Sequence, residues 1–190
     1  VQNCHACASV AKTDTKTKLE SWPIPEKPWQ RVHADFAGPI NGTYFLLVIY
    51  AYSKWPEIIP TKNITTIETI SKLRNIFSRF GNPEVLVTEN GLQLTSDTFE
   101  TFCETNGIIH LKTAPFHPQS NGQVERFVDT FKRALNKIQT GGEADIDEAL
   151  DIFLSCYRST PCKSAPDGKS PSELVLKHPM RTSLELLRPP

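Results

Sequence analysis

Alternating apolar and polar residues near the start of the chain predict a β-strand. Every second residue of 31–37 is apolar, and His33 and Asp35 fall on the opposite face. An Asn-Gly pair is typical of a hairpin turn into the apolar run 44–52, and residues 55–60 suit an edge strand. The pattern therefore predicts an antiparallel meander of three strands.

Helical spacing replaces this alternation further along the chain. Thr65 with Glu68 three residues later predicts a capping box, and apolar residues then recur at helical spacing until Gly81. A short apolar run at 85–87 predicts a buried strand with Glu89 at its end. The same signals predict the remaining elements, which are a helix capped by Ser96, a strand at 108–111, a loop at 113–122, a long helix at about 121–139, a helix from Asp145 and a short helix from Ser170.

The order of these elements predicts an α/β fold. Three antiparallel strands come first, and the later strands are reached through helices, as right-handed parallel connections require. The expected architecture is a mixed five-stranded sheet flanked by helices. The long helix buries one apolar stripe and leaves Glu125, Asp129 and Lys132 together on another face.

Composition limits the classes of protein to which the chain could belong. At 190 residues and 38% hydrophobic it can bury a core, and its length favours one main domain. It shows no apolar run long enough to cross a bilayer and no signal-peptide pattern in its first residues. Five scattered cysteines lack the density of a secreted disulfide scaffold, which favours a reducing, intracellular setting.

The charges cancel, with 21 Lys and Arg against 21 Asp and Glu. A dedicated nucleic-acid-binding domain usually carries a basic excess. If DNA is the partner, flanking domains are expected to supply much of the affinity.

Three other residues have structural interpretations. His33 shares a strand face with Asp35, and we expect a packed, hydrogen-bonded histidine rather than a metal ligand. Cys103 and Cys156 fall among inward-facing apolar positions and are predicted to lie in the core.

Three acidic residues stand out by their positions. Asp35 lies in the middle of the first predicted strand, Glu89 at the end of the fourth, and Glu125 near the start of the long helix. Phosphodiester cleavage needs an activated nucleophile and a stabilised leaving oxygen, and two divalent ions roughly 3.5–4 Å apart supply both. Because Mg²⁺ prefers carboxylate oxygens, converging acids are the expected ligands.

Four phrases of the sequence carry a family resemblance. They are RVHADFAGP at 31–39, AYSKWPE at 51–57, RFGNPE at 79–84 and HPQSNGQVERF at 117–127. On these phrases, the stretch 29–137 resembles the integrase catalytic core of gypsy-type long-terminal-repeat retrotransposons and of retroviruses. The family triad is Asp, Asp and Glu with 35 residues between the last two, and 35 residues also separate Glu89 from Glu125.

The resemblance implies an RNase H-like fold and a nucleotidyltransferase that processes DNA ends and joins them to target DNA. Asp35, Glu89 and Glu125 would hold two Mg²⁺ or Mn²⁺ ions. The partners implied are double-stranded DNA and a second copy of the chain, paired through the helices after Thr65 and Asp145, with function expected in the nucleus. The residues implied in DNA binding are His117, Gln119, Asn121, Gly122, Arg126 and Lys132.

The resemblance also divides the chain into segments. Residues 1–20 look like the remnant of an N-terminal zinc module, in which Cys4 and Cys7 form half of a His-His-Cys-Cys site. Zn²⁺ is therefore expected only in the full-length module. The Pro-rich run 21–30 is predicted to be an extended linker, 31–160 the catalytic core, and 161–190 an extension leading to a C-terminal domain outside the chain.

The sequence departs from the family pattern at several positions. Glu89 replaces the usual Asp of the triad, Tyr50 replaces another Asp, and Leu92 and Leu94 replace Pro and Phe. The extra methylene of Glu89 moves its carboxylate by about 1.5 Å, and Mg²⁺ demands near-ideal geometry. We therefore expect impaired activity, and the alternative is a catalytically silent integrase-derived protein that binds DNA or protein or serves in dimerisation.

Overall fold

Five strands form one mixed sheet. The computed structural model describes residues 22–23, 25–113, 122–141 and 145–183, and at 122–125 and 138–141 only the course of the helix. The strands are β1 Arg31–Ile40, β2 Thr43–Tyr50, β3 Pro56–Thr61, β4 Val85–Thr88 and β5 Ile109–Lys112. Their order is β3-β2-β1-β4-β5, with β1 to β3 antiparallel and β1, β4 and β5 parallel. The predicted meander with its parallel additions is confirmed.

Helices cover both faces of this sheet. They are α1 Thr66–Phe80, α2 Leu92–Thr95, α3 Asp97–Thr105, α4 Gly122–Gly141, α5 Ile146–Ser159 and α6 Pro171–Leu176, with a 3-10 turn at Pro166–Gly168. The sequence pattern did not predict α2, because a single helical turn is too short to show a period. Within the described ranges, no helix combines the length and apolar character that a bilayer crossing needs.

Side-chain caps begin the helices where the sequence predicts them. Ser96 accepts a hydrogen bond from the amide of Phe99, and Asp145 accepts two in the first turn of α5. At α1, Thr65 Oγ1 accepts from the Glu68 amide at 3.3 Å. The Glu68 carboxylate instead accepts from Thr61 Oγ1 at 2.8 Å, so it joins the helix start to β3 rather than completing the expected capping box.

Alternation along β1 separates two cores. Val32 and Ala34 belong to the cluster under α1 and α3, whereas Ala37 belongs to the cluster under α4 and α5. Strand residues point to opposite faces in turn, so His33 and Asp35 lie on the α4 side. His33 is 1% exposed, and its Nε2 accepts from Arg31 Nε at 3.2 Å, which confirms a packed, hydrogen-bonded histidine.

Aromatic rings hold α4 on the sheet. Phe131 is fully buried, with its ring 5.2 Å from Phe45 on β2 and 5.4 Å from Phe153 on α5. Phe127, one turn earlier, lies 5.0 Å from Tyr157. Such offset and edge contacts add to the burial energy of the rings, so the α4 backbone is anchored against both β2 and α5.

One of the two core cysteines is placed as expected. Cys103 is 1% exposed in the first cluster, and burial raises the pKa of its thiol to about 11. The prediction for Cys156 is wrong, because this residue is exposed on α5. Tyr157, the next residue, packs its ring on Phe127 and takes the inward position in that turn.

A buried carboxylate ties β3 to two helices. Glu57 is 7% exposed and accepts from Trp55 Nε1 at 3.0 Å. Its Oε2 lies 3.4 Å from Arg158 on α5 and 3.6 Å from Arg79 on α1. The Arg158 guanidinium also lies 4.2 Å from the centre of the Trp55 ring. The Trp55-Pro56-Glu57 segment therefore joins the sheet to α1 and α5. It has this structural role apart from the three candidate metal-binding acids.

Candidate metal and DNA site

Asp35 lies on the α4 face of the sheet, within the central strand. It is 9% exposed and sits opposite Leu47 of β2. The Phe36 amide donates to Asp35 Oδ1 at 2.7 Å, so one carboxylate oxygen is held by the backbone. A rigid strand therefore fixes this acid at a defined position.

The parallel register brings Glu89 next to Asp35. Ala34 pairs with Thr88 between β1 and β4, so the residues that follow each of them occupy neighbouring positions. Adjacent strands lie about 4.8 Å apart, and neighbours in register share a face. The exposed Glu89 thus follows β4 at the level where Asp35 lies on β1. Two acidic residues 54 positions apart in sequence therefore follow adjacent register positions of the sheet.

Hydrogen bonds tie the end of β4 to the end of β5. The Thr113 amide donates to the Thr88 carbonyl at 2.9 Å, and Asn90 Nδ2 donates to the Thr113 carbonyl at 2.6 Å. Thr88 Oγ1 also lies 2.8 Å from His110 Nε2, and burial lowers the pKa of that imidazole. Sequence reasoning missed Asn90 as a positioning residue, although an Asn-Gly pair directly after a strand was its signal.

Glu125 lies in the first turn of α4, the helix packed over the Asp35 face. Its side chain is outside the described residues, as are His117, Gln119, Asn121, Cys4 and Cys7. α4 begins at Gly122, which agrees with the start predicted at about residue 121. Asp35 and Glu89 thus follow paired positions of β1 and β4, and the helix that carries Glu125 packs on the same face of the sheet as Asp35.

The donor set suits a hard divalent cation. Asp35 and Glu89 offer carboxylate oxygens from adjacent strands, and Mg²⁺ is bound through one or two carboxylates with retained water. Where side chains are described, no group of three His, Cys, Asp or Glu is gathered for a metal.

Two predicted DNA-binding cations lie on α4 at either side of its buried stripe. Lys132 is exposed and lines a cleft of about 410 Å³ with the hairpin residues 38–41. Gly38 lets the hairpin close, because its φ is +113° and a Cβ would come within 2.8 Å of the Thr43 carbonyl. Arg126, also exposed, lines a separate cavity near Lys54. The two basic residues thus face different openings.

The remaining departures from the family pattern do not touch the acids. Tyr50 is 3% exposed and pairs with Val32, so it lies on the face opposite Asp35. Its ring is 4.2 Å from Trp29, and burial raises the pKa of its hydroxyl. Leu94 is 1% exposed and packs in the first core, whereas Leu92 is 87% exposed on α2. Of the departures, only Glu89 changes the carboxylate set.

Sequence comparison relates the chain to a viral Pol polyprotein and to an uncharacterized nematode protein. No family model matches it. It is 43% identical over 189 residues to an uncharacterized Caenorhabditis elegans protein, covering 100% of this chain and 15% of that protein. It is 32% identical over 183 residues to the Pol polyprotein of a radiation murine leukemia virus, covering 93% of this chain and 31% of the polyprotein. The chain therefore spans less than a third of either relative.

Structural comparison finds the same fold in viral integrases. A chain of the simian T-cell lymphotropic virus intasome, in complex with PP2A regulatory subunit B56 gamma, superposes with a TM-score of 0.72 at 23% identity, covering 95% of this chain and 67% of that one. The HTLV-2 integrase catalytic core domain in complex with magnesium gives 0.64 at 24% identity, covering 78% and 97%. At these identities the likeness shows the fold alone.

Proposed function

We propose that this chain, which is related in sequence to retroviral Pol polyproteins and has the fold of retroviral integrase catalytic cores, is a retroelement integrase core that cuts and joins DNA. The observation that supports the proposal is the pairing of Ala34 with Thr88, from which Asp35 and Glu89 follow at adjacent positions on the face of the sheet that packs against α4. Glu125 lies in the first turn of this helix and is separated from Glu89 by 35 residues, the spacing of the family triad. Magnesium in the HTLV-2 neighbour supports a divalent ion here.

The chemistry follows from the positions of the acids. Asp35 and Glu89 would hold one ion and Asp35 and Glu125 a second, and bound divalent ions activate an attacking oxygen and stabilise a leaving one. Water would first attack a phosphodiester near the element's DNA end, and the freed 3′-hydroxyl would then attack target DNA in line. The hydrogen bond from the Phe36 amide would orient Asp35, and no covalent enzyme intermediate would be needed.

Metal binding tests the proposal without requiring turnover. We expect the full-length protein to bind Mn²⁺, measured by electron paramagnetic resonance, and Asp35→Asn to weaken binding by more than about tenfold. The reason is that even outer partners of metal sites are worth 10–100-fold in affinity. Asp129→Asn, an exposed acid on α4 paired with Arg133, is the matched control and should bind as the parent does. Equal Mn²⁺ affinity in all three proteins would contradict the proposed site.

The proposal includes a two-fold dimer in the nucleus, with double-stranded DNA as substrate. Ile67 on α1 is 76% exposed and Ile152 on α5 is 42% exposed, so each predicted pairing helix presents an apolar residue to solvent. The HTLV-2 core occurs in a dimeric and in a trimeric form, so association between copies is supported and the sedimentation mass decides their number.

Sedimentation tests this dimer. We expect a dimer at tens of micromolar, and Ile67→Lys should weaken association at least tenfold by placing a charge in an apolar contact. Ile109→Lys, at a residue 60% exposed on β5, should leave the mass unchanged. A monomeric wild-type mass at that concentration would be inconsistent with the dimer.

One observation favours a second candidate function. Glu89 keeps the negative charge of the triad but carries it on a longer arm at an exposed strand end. A protein retained for binding DNA or protein, without turnover, would tolerate that change. Strand-transfer measurements on Glu89 variants separate the two functions.

A further inference from the structure

A cavity of about 250 Å³ opens beside α4 on the Asp35 face of the sheet. Ile49 of β2 and Phe127 of α4 supply its apolar wall. Its polar lining is Lys54, Arg126, Thr130, Tyr157 and Ser164. These residues come from the β2–β3 turn, α4, α5 and the segment after α5, so the fold assembles the cavity from four separate parts of the chain.

The polar lining consists of cations and hydroxyl groups. Among the described residues that line the cavity there is no Asp or Glu. Burial lowers the pKa of Lys54, and the nearby charges of Arg31 and Arg126 act in the same direction, whereas Cys162 opposes them. Burial also raises the pKa of Tyr157 to about 12, so the phenol stays protonated and able to donate. Positive charges held near one another at a half-buried cleft are stabilised by an anion.

The cavity lies close to the candidate catalytic acids. Ile49 pairs with His33, which is two residues before Asp35 on the same face of β1. Two strand residues span about 7 Å. A group bound in the cavity would therefore lie within a few nucleotides of a phosphodiester bound at Asp35 and Glu89.

We propose that this cavity is a phosphate subsite, in which Lys54 and Arg126 bind a backbone phosphate of the DNA and the Thr130, Tyr157 and Ser164 hydroxyls donate to it. The inference rests on the proposed function, because it takes DNA as the ligand. Arg and Lys are the usual partners of phosphate oxygens, and such contacts fix the register of a protein on DNA. Lys54 Nζ donates to the Ala51 carbonyl at 2.6 Å, which fixes the position of the ammonium group.

Salt dependence of DNA binding tests the subsite. We would measure the anisotropy of a labelled duplex from 50 to 200 mM salt, roughly the range over which phosphate contacts change affinity most visibly. Each phosphate contact contributes about 0.9 to the slope of log affinity against log salt. Lys54→Gln with Arg126→Gln should therefore make the slope shallower by about one, not two, because both residues serve one phosphate. Lys137→Gln with Lys177→Gln, exposed lysines outside the cavity, is the matched control and should keep the wild-type slope.

Folding is controlled separately, because Lys54 lies in a turn with φ at +62°. Arg126→Gln alone changes an exposed residue on a helix. This variant should show a shallower slope of log affinity against log salt than the wild type, with an unchanged melting temperature.

The outcomes separate this inference from the proposed function. Wild-type binding with equal slopes in all variants would overturn the subsite alone. A wild type that binds no duplex would overturn the proposed function and the subsite with it. Inorganic phosphate offers the same oxyanion chemistry, so its effect on the melting temperature is measured in parallel. Stabilisation of the wild type but not the double variant, with an unchanged DNA slope, would assign the cavity to a free anion and overturn the DNA subsite.

Discussion

Glu89→Asp is expected to raise metal-dependent strand transfer by about a hundredfold, because a misplacement of ~1 Å can cost that much in rate. The substitution shortens the arm that carries the carboxylate at the end of β4 while the register with β1 keeps its backbone beside Asp35. The wild type should show low or no activity. Joining of a labelled duplex end to target DNA, in Mg²⁺ and in Mn²⁺ with the full-length protein, measures the change.

Two further variants make this result interpretable. Glu125→Gln added to Glu89→Asp should abolish the gain, because the family triad assigns Glu125 to the second ion. Asp129→Asn in the same background alters an exposed acid one turn along α4 and should preserve the gain. A wild type more active than Glu89→Asp would show that the site has adapted to the longer side chain. If both are inactive although Mn²⁺ binds, the silent-relative function is supported.

Glu57→Ala is expected to lower the free energy of unfolding by about 3–5 kcal/mol, the usual cost of removing one partner from a buried ion pair. The change removes the carboxylate opposite Arg158, whose side chain is 19% exposed and keeps its hydrogen bonds to the Pro56 carbonyl. It also removes the acceptor of the Trp55 indole. Both β3–α1 and β3–α5 contacts would weaken together. Urea unfolding followed by circular dichroism measures the loss.

Matched variants separate charge from packing in this cluster. Glu57→Gln keeps an oxygen for Trp55 Nε1 but loses the charge, so its loss should be smaller than that of Glu57→Ala. Asp129→Ala breaks an ion pair whose side chains are 62% and 73% exposed and should cost less than about 1 kcal/mol. A cost for Glu57→Ala no greater than for Asp129→Ala would refute the structural role assigned to the cluster.

The elements of this fold could be predicted from local pattern. Alternation over 31–37 predicted β1, and the Ser96, Asp145 and Ser170 caps each begin a helix in the structure. At Ser170 both halves of the capping box form. These predictions are correct because helix caps and apolar periods depend on residues within a turn or two of each other. The interactions that stabilise them can therefore be identified from a short stretch of sequence.

Side-chain placement in α5 depended on neighbours that the pattern did not include. The apolar periodicity of α5 predicts that Cys156 faces the core, yet its side chain is exposed. Tyr157 instead makes the inward contacts, with Phe127 and Phe153. Likewise Tyr50, a departure from the family pattern, lies across the sheet from Asp35. A period identifies a helix or strand, but the packed partner decides which side chain fills the core.

Sequence alone determined the order and type of the main elements, the mixed sheet, and the candidate acids Asp35, Glu89 and Glu125 with their spacing. Only the tertiary structure decided that Ala34 pairs with Thr88, so that Asp35 and Glu89 follow adjacent register positions. The tertiary structure also decided that Lys54 and Ser164, 110 positions apart in sequence, line the same cavity. The physical reason is that strand register and cavity shape are set by contacts between distant segments, whereas sequence patterns report only the preferences of neighbouring residues.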